Sequence, residues 1–246
     1  MAEQISYNEW LCVDGYDISG VSQNFGIERS VDLKECITFP DPTDTTTTTP
    51  FKRRHVGPES GKASIAGYLD PLINLPAFTA ALGASPIITW GSARALGSSV
   101  LMFVGKEGKF SYGGPVGDII PITAEMMNDG AVVSGIEYEF GSKTTTTTGT
   151  SQTTTAVVAG KARYLHVHVV AVTGTTPTLT VIYETSAIGD YTDAVTRHTF
   201  TQFTPSYLVE RAVKTTTVSD THGRFKWTIG GTGGPAFLVR MSEGVR

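Results

Sequence analysis

The sequence predicts a mainly β protein, and three observations carry that prediction. Val and Thr are abundant across the 246 residues and recur in short runs that alternate apolar and polar positions. The 27 Gly and 12 Pro fall largely between these runs, as expected for many short strands joined by tight turns. Only one segment, residues 70–82, has good helical spacing of its apolar residues.

A polar stretch divides the chain into two long β-rich segments. Residues 142–155 (SKTTTTTGTSQTTT) contain no large apolar side chain, so burial cannot offset the entropy of ordering them. We therefore predict a linker or long loop there. Hydrophobic residues make up 40% of the chain, enough for real cores. The length fits one large β-domain or two smaller ones, and the polar stretch favours two, at 1–141 and 156–246.

The first elements are predicted by a turn signal. Residues 10–13 form an apolar run that ends at Asp14-Gly15, a strong signal for a two-residue hairpin turn, and the chain continues extended beyond it. Residues 62–69 alternate well enough for a strand, with Ala63, Ile65 and Gly67 on one face. Further strands are predicted at residues 87–90, 99–104 and 132–140.

A long loop is predicted at residues 40–58. The segment 39–58 carries four prolines and a run of five threonines, which are incompatible with a central strand. Within it lies the only compact basic cluster of the chain, Lys52, Arg53, Arg54 and His55. These residues form either a solvated loop tip or an arm that pairs with an acidic surface of a neighbouring subunit.

The single helix is predicted between Asp70 and Gly83. Leu72, Leu75, Phe78, Thr79 and Leu82 share one helical face. Because proline is tolerated only in the first turn, Pro76 places the start near Leu75, and Gly83 is the expected C-terminal cap.

The second segment predicts a β-sandwich of roughly 100 residues. Residues 162–171 and 178–184 are predicted to form a hairpin around a turn at 174–177. Four more strands are expected at 197–203, 207–213, 225–229 and 236–241, with a glycine-rich break at 230–234.

Candidate metal ligands are few. His166 and His168 share a strand face and can supply two ligands, but exposed polar positions alternating with buried Leu165, Val167 and Val169 explain the pattern better. Asp190, Asp193 and Asp220 offer oxygen ligands for calcium, yet their spacing matches no calcium loop. The sequence therefore predicts no metal and no cofactor.

Catalytic motifs are also missing from the sequence, and an enzyme is not expected. There is no Gly-x-Ser-x-Gly elbow and no Walker-type phosphate loop. The two cysteines, Cys12 and Cys36, are interpreted as buried free thiols; a disulfide requires their Cα atoms to come within about 7 Å.

The charge of the chain argues against a protein that binds nucleic acid tightly, and its hydropathy argues against one that spans a membrane. The net charge is −4 and no dense Lys/Arg block occurs, so we expect no tight grip on nucleic acid. The N-terminal sequence lacks the features of a signal peptide, and no window approaches the roughly 20 apolar residues of a membrane span. We expect a soluble protein made in the cytosol.

Several short patches together resemble the tail-tube proteins of tailed bacteriophages. In the first segment these are residues 12–20 (CVDGYDISG), 51–57 (FKRRHVG), 67–70 (GYLD) and 110–118 (FSYGGPVGD). In the second segment, residues 168–181 and 224–232 resemble the β-sandwich that often accompanies that domain in phage virion proteins. The threonine runs and the loop at 40–50 depart from the family pattern.

The resemblance implies a structural virion protein. It implies an N-terminal tail-tube-like β-barrel or sandwich with one flanking helix, and a C-terminal sandwich that decorates the outside. Tail-tube subunits form rings, usually of six, by joining their inner sheets into a closed barrel, and the rings stack into a conduit for DNA. An acidic lumen would let the genome slide through without binding it. Implied partners are copies of the chain, other tail proteins and passing DNA, with no membrane. The implied location is the virion tail, after synthesis in the host cytoplasm.

Two alternatives come from other functional classes. A head decoration or minor capsid protein would use similar β-domains on a shell. A carbohydrate-binding adhesion module would need exposed aromatic side chains in the second segment, for which Tyr183, Tyr191, Tyr207 and Trp227 are the candidates.

Overall fold

The fold is mainly β, as the sequence predicts. The computed structural model describes residues 8–38, 51–115, 118–206 and 208–246, with residues 29, 31–38, 51–59 and 107 described by their backbone alone. Helix α1 is the only helix within these ranges. No helix there has the length and apolar character needed to cross a membrane.

The described part of the first segment contains eight strands and the helix. They are β1 (Trp10–Val13), β2 (Tyr16–Asp17), β3 (Ser22–Thr38), β4 (Phe51–Tyr68), α1 (Asn74–Ala81), β5 (Ile87–Gly91), β6 (Ser99–Tyr112), β7 (Pro121–Asn128) and β8 (Val133–Lys143). The predicted turn between β1 and β2 is confirmed: Asp14 and Gly15 both have positive φ, +49° and +85°, as this two-residue turn requires.

Two sheets pack face to face in this segment, and β6 belongs to both. Its N-terminal part pairs with β5 and β8, while residues 105–112 pair with β7. The resulting four-stranded sheet has the order β3-β4-β7-β6. Its inner face meets the β1 and β5 side of the molecule in one apolar core that includes Leu11, Ile65, Ile88, Phe103 and Met126.

The helix confirms the predicted position but not the predicted face. It begins at Asn74, with Pro76 in its first turn, and Gly83 follows its end with φ of +76°. Ala77, Phe78 and Ala81 are its buried apolar residues, whereas Leu82 is largely exposed. The buried face is therefore formed by the two alanines and by Phe78, whose ring packs in a tilted arrangement against Phe110 with centroids 5.3 Å apart.

The second segment is built around a long two-stranded ribbon. Its strands are β9 (Thr147–Thr148), β10 (Gln152–Thr153), β11 (Arg163–Ser186), β12 (Val195–Thr199), β13 (Val209–Lys214) and β14 (His222–Val245). β11 and β14 pair antiparallel along their whole length, from Arg163↔Val245 to Ser186↔His222. We call this pair the ribbon.

The predicted hairpin within residues 162–184 is wrong. Both of its arms pair with β14 and not with each other. The ribbon nevertheless folds back on itself. This is shown by the Arg163 guanidinium, near the start of β11, which lies 5.5 Å from the ring centroid of Tyr183, near the end of the same strand. A straight strand rising about 3.3 Å per residue would separate the two by roughly 66 Å. The predicted turn is therefore the bend of a double strand, and its two layers enclose the second core, as expected of a sandwich.

The stretch at 142–155 is not a free linker. Thr147 and Thr148 pair with β14, as do Gln152 and Thr153. Thr154 is buried and donates to Glu243 Oε1 at 2.7 Å. The stretch lacks apolar side chains, as predicted, but hydrogen bonds to the ribbon hold it instead. Backbone pairing between β8 and β14 also crosses the predicted domain boundary, and the division into two domains stays a prediction.

The loop predicted at 40–58 is wrong for its C-terminal part. Residues 51–58 belong to β4, which pairs with β3 from Thr38↔Phe51 onward. Pro58 lies next to a register shift between Val31 and Leu33, where an edge ribbon can accommodate proline. The remainder of the predicted loop, residues 40–50, lies outside the described residues.

Candidate assembly surfaces

The four-stranded sheet has two unpaired edges. Within the described residues, β3 pairs with β4 alone, and residues 105–112 of β6 pair with β7 alone. All three pairings in this sheet are antiparallel, so β3 and β6 run in opposite directions. Unpaired strand edges are templates for further strand pairing.

The outer face of this sheet is mostly small and polar. The inner positions Ala63, Ile65, Ile122, Ala124 and Met126 are buried. The alternating outer positions include Asn24, Gly26, Glu28, Ser64, Ala66, Ser111 and Thr123. Lys62 and Glu125 form an ion pair of 3.1 Å on this face. Among the described side chains, Tyr68 and Met127 are the large apolar ones exposed on this face, at 40% and 49%. The rest of the face is small or polar and presents both signs of charge.

A two-stranded arm extends from this sheet. Residues 31–38 of β3 pair with residues 51–59 of β4, whereas β7 pairs with β4 only from Lys62 to Tyr68. We call residues 31–38 with 51–59 the arm. The predicted basic cluster lies on it: Lys52 is opposite Ile37, and His55 is opposite Lys34, with Arg53 and Arg54 between. Only the backbone of these four residues is described, so their role as contacts to a neighbouring subunit stays a prediction.

His166 and His168 are not surface positions, contrary to the sequence prediction. Each is only 1% exposed, because β11 packs against the first segment on this face. Thr89 Oγ1, on β5, lies 2.9 Å from His166 Nδ1 and 2.9 Å from His168 Nε2. The backbone N–H of Gly15 donates to His168 Nδ1 at 3.3 Å. The two histidines thus join the two segments.

The donors and acceptors of this cluster can be assigned consistently from the Gly15 N–H onward. Because Gly15 donates to His168 Nδ1, a neutral His168 carries its proton on Nε2 and donates it to Thr89. The Thr89 hydroxyl can then donate to His166 Nδ1. Burial, followed by the nearby Arg240, lowers the pKa of His168 to about 3. Burial, His168 and Arg211 also hold the pKa of His166 well below 6.5, so both rings are neutral at physiological pH.

A buried ion pair lies beside this cluster. Arg240 Nη1 on β14 donates to Glu137 Oε1 on β8 at 2.8 Å, and the guanidinium stacks 4.6 Å from the Trp10 ring centroid. Burial raises the pKa of Glu137 to about 7, although Arg240 opposes the shift. The pair ties β1, β8 and β14 together at the junction of the two segments.

The other candidate residues have structural partners. Asp193 accepts hydrogen bonds from Ser186 and Ala187, and Asp220 pairs with Arg197 at 2.6 Å. No group of three or more His, Cys, Asp or Glu side chains suited to a metal occurs in the described part of the chain. Cys12 is a buried free thiol whose pKa is raised by burial, which makes it unreactive.

The aromatic candidates for sugar binding are mostly in the core. Tyr183 is fully buried, Trp227 is 3% exposed and Tyr191 is 7% exposed. Tyr207 lies outside the described residues. None of the three described rings offers a face for stacking a sugar.

Comparison with known proteins gives distant structural similarity only. No family model matches the sequence, and no curated protein matches it. One similar solved structure is a chain in the virion of the native gene transfer agent particle. It is 13% identical, the match covers 52% of this chain and 96% of that chain, and the TM-score is 0.37. Another comes from the tail of an empty gene transfer agent particle, computed with C6 symmetry. It is 12% identical, the match covers 53% of this chain and 97% of that chain, and the TM-score is 0.38.

A third similar structure is the SPP1 Dit (gp 19.1) protein, described as a paradigm of the hub adsorption apparatus in phages that infect Gram-positive bacteria. It is 9% identical, with 97% of this chain and 99% of that chain covered and a TM-score of 0.35. At these TM-scores and identities, none of the three structures assigns this chain to a family or places a site in it.

Proposed function

We propose that this chain is a structural protein of a phage-type tail, and more specifically a tail-tube subunit that assembles into stacked rings. The observation that carries the proposal is the four-stranded sheet whose two unpaired edges run in opposite directions. The role is structural and not enzymatic, and the site of action is the virion tail after synthesis in the host cytoplasm. The sequence patches that resemble tail-tube proteins agree with this role.

Edge pairing between copies explains how a ring would close. When β6 of one copy meets β3 of the next, the two strands are antiparallel, like every other pair in the sheet. The same contact repeats around the ring and leaves no free edge once the barrel closes. An even number of antiparallel strands per subunit is what makes this continuity possible.

The polar outer face of the sheet suits the inner wall of a tube. A conduit for DNA has to stay hydrated without holding the phosphate backbone. The Lys62–Glu125 pair neutralises one of the cations that would otherwise attract phosphates. Small side chains such as Ser64 and Ala66 keep the middle of this face low, between the larger Tyr68 and Met127.

The arm would join successive rings. Its strands extend past the sheet, and its basic residues Lys52, Arg53, Arg54 and His55 would pair with an acidic surface on the adjacent ring. The second segment would lie outside the ring and decorate it.

Negative-stain imaging of the purified, concentrated protein tests the proposal. We expect hollow tubes or rings from the intact chain. A variant lacking residues 43–55 should still form single rings but should not stack them. Monomers or trimers alone at all concentrations, in the presence of authentic tail initiator proteins, would exclude the tube role. Tubes of normal length from the deletion variant would exclude the role of the arm.

A further inference from the structure

We infer that the second segment binds a small tetrahedral oxyanion, a phosphate group, in a cavity at the end of β11. The cavity has a volume of about 180 Å³ and lies among β11, β12 and β13. Its lining residues are Val157, Arg163, Thr196, Arg197, Lys214, Thr216 and Val218. This volume is below the roughly 300 Å³ at which drug-sized ligand pockets begin, so it suits a single anionic group.

Three cationic side chains converge on this cavity, and no carboxylate lines it. Arg163 on β11 is directly opposite Lys214 on β13, and both point to the cavity side of the pair. Like charges directly opposite each other across two strands destabilise a sheet unless an anion offsets them. Arg197 on the neighbouring β12 adds a third positive charge.

The chain supplies carboxylates for only two of these three cations. Arg163 Nε lies 2.9 Å from Glu243 Oε1, and Arg197 Nη2 lies 2.6 Å from Asp220 Oδ2. Within the described part of the chain, no ion pair joins Lys214 to a carboxylate, and the exposed Thr196 and Thr216 place their hydroxyls beside it. One cation without a carboxylate partner and two hydroxyls therefore line the same space.

Arg163 is a buried cation held in a fixed orientation beside the cavity. Its side chain is only 2% exposed, yet its Nε–H makes no hydrogen bond. The short distance to Glu243 is an ion-pair contact in which the N–H is not directed at the carboxylate oxygen. The Nη2 group is already bonded to Thr154 Oγ1 and Thr155 O, so the guanidinium is held in a fixed orientation. A buried, rigid guanidinium is the group that best recognises phosphate, and a phosphate in this cavity would share Arg163 with Glu243.

The walls of the cavity are preorganised. Val157 and Val218 exchange backbone hydrogen bonds of 2.8 and 2.9 Å and close one side of it. Arg197 is fixed by the Thr185 hydroxyl as well as by Asp220. Little reorganisation would be needed on binding, which favours affinity for a small ligand.

The inference is tested by calorimetric titration of the intact chain with inorganic phosphate at constant ionic strength, with chloride as the reference anion. We expect saturable binding. The variant Lys214→Gln should bind at least about tenfold more weakly, since it loses a charge-assisted bond worth about 1.4 kcal/mol or more. The matched control Lys226→Gln removes the same charge from an exposed position of β14 outside the cavity and should bind as the wild type does.

Parallel titrations identify the source of the phosphate group. Methyl phosphate represents a terminal monoester, and dimethyl phosphate represents the diester of a polymer backbone. Saturable binding of any of these phosphates that is lost in Lys214→Gln supports the inference. Two results overturn it. One is a phosphate titration that cannot be distinguished from the chloride titration, and the other is equal phosphate binding by Lys214→Gln and the wild type. Because the readout is binding to the second segment, it is independent of ring formation, and the inference and the proposed function can fail separately.

Discussion

At the residue scale, the junction of the two segments depends on one hydroxyl. Thr89 is the only side chain that contacts both His166 and His168 among the described hydrogen bonds, and its oxygen both accepts and donates. A fully satisfied buried polar cluster specifies one arrangement of the two segments, because any displacement leaves polar atoms unpaired.

Replacing Thr89 by valine should therefore destabilise the protein. Thr89→Val keeps the side-chain volume but leaves His166 Nδ1 and His168 Nε2 without their partner. We expect the free energy of unfolding, measured by urea denaturation, to fall by about 1–3 kcal/mol. The control Thr123→Val removes an exposed hydroxyl bonded to Ser111 and should change it by less than about 0.5 kcal/mol. Equal effects of the two changes would contradict the proposed importance of the cluster.

The same histidines should make stability depend on pH. Their folded pKa values lie below the unfolded value of 6.5, so their contribution is complete above pH 6.5 and is lost as the pH falls; for His168 the loss continues down to its folded pKa of about 3. Glu137 acts in the opposite direction, because its pKa rises from 4.5 to about 7 on folding. Between pH 6.5 and 4.5, the effects of His168 and Glu137 are of similar size and opposite sign, so the contribution of His166 decides the direction of the change.

The net expectation for these three groups is a loss of stability between pH 7.5 and pH 4.5, because the unfolded chain binds protons at both histidines that the folded chain does not. Urea denaturation at the two pH values measures it. Imidazole nitrogen shifts in NMR spectra provide the control, since both rings should remain neutral and protonated at Nε2 at pH 5. Titration of either ring near 6.5 would show that the cluster is not buried as described.

At the element scale, the ribbon owes its bend to glycine. Gly174, Gly231, Gly233 and Gly234 all have positive φ where β11 and β14 fold over together. Gly231 has a φ of +111°, and a Cβ placed there would lie 2.7 Å from the Thr176 carbonyl oxygen. Both the backbone conformation and the close approach exclude a side chain at this position.

Gly231→Ala should consequently destabilise the second core. We expect a loss of about 1–3 kcal/mol from backbone strain and steric overlap, measured as a lower midpoint in urea. Gly26→Ala on β3 makes the same chemical change where a Cβ would meet no atom within 4 Å, and it should be nearly neutral. A bend that tolerates alanine at 231 would argue against the folded ribbon.

At the scale of the whole molecule, the unpaired sheet edges predict how copies associate. Asn24 on β3 and Ser111 on β6 lie on the outer face of the four-stranded sheet, at opposite edges. In a ring, position 24 of one copy approaches position 111 of the next across the new strand pair.

A chain carrying both Asn24→Cys and Ser111→Cys, with Cys36→Ser, should cross-link on oxidation into a ladder of oligomers that ends at the closed ring. Non-reducing gel electrophoresis measures this ladder. Each variant with only one of the two introduced cysteines, in which Cys12 stays buried, can form at most dimers and serves as the control. If the double variant also stops at dimers, the edges do not meet head to tail.

Local sequence determined the elements whose structure depends on near neighbours. Asp14 and Gly15 specify their turn because both residues tolerate positive φ. Pro76 and Gly83 place the helix because proline suits a first turn and glycine follows a helix end without strain. The alternation of Ala63, Ile65 and Gly67 identified the buried face of β4. The basic residues 52–55, proposed to contact another subunit, were also identified by sequence, although as part of a loop.

Only the tertiary structure decided which strands pair and what covers each face. Residues 162–171 and 178–184 have the pattern of a hairpin, but their partner lies some forty residues or more along the chain, in β14. His166 and His168 alternate with apolar residues as surface positions do, yet the first segment covers that face. There the Thr89 hydroxyl forms hydrogen bonds with both imidazole rings. The threonine stretch has no apolar side chain, and hydrogen bonds to β14 still hold it. In each case the deciding contacts join residues distant in sequence, and periodicity within one strand carries no information about such partners.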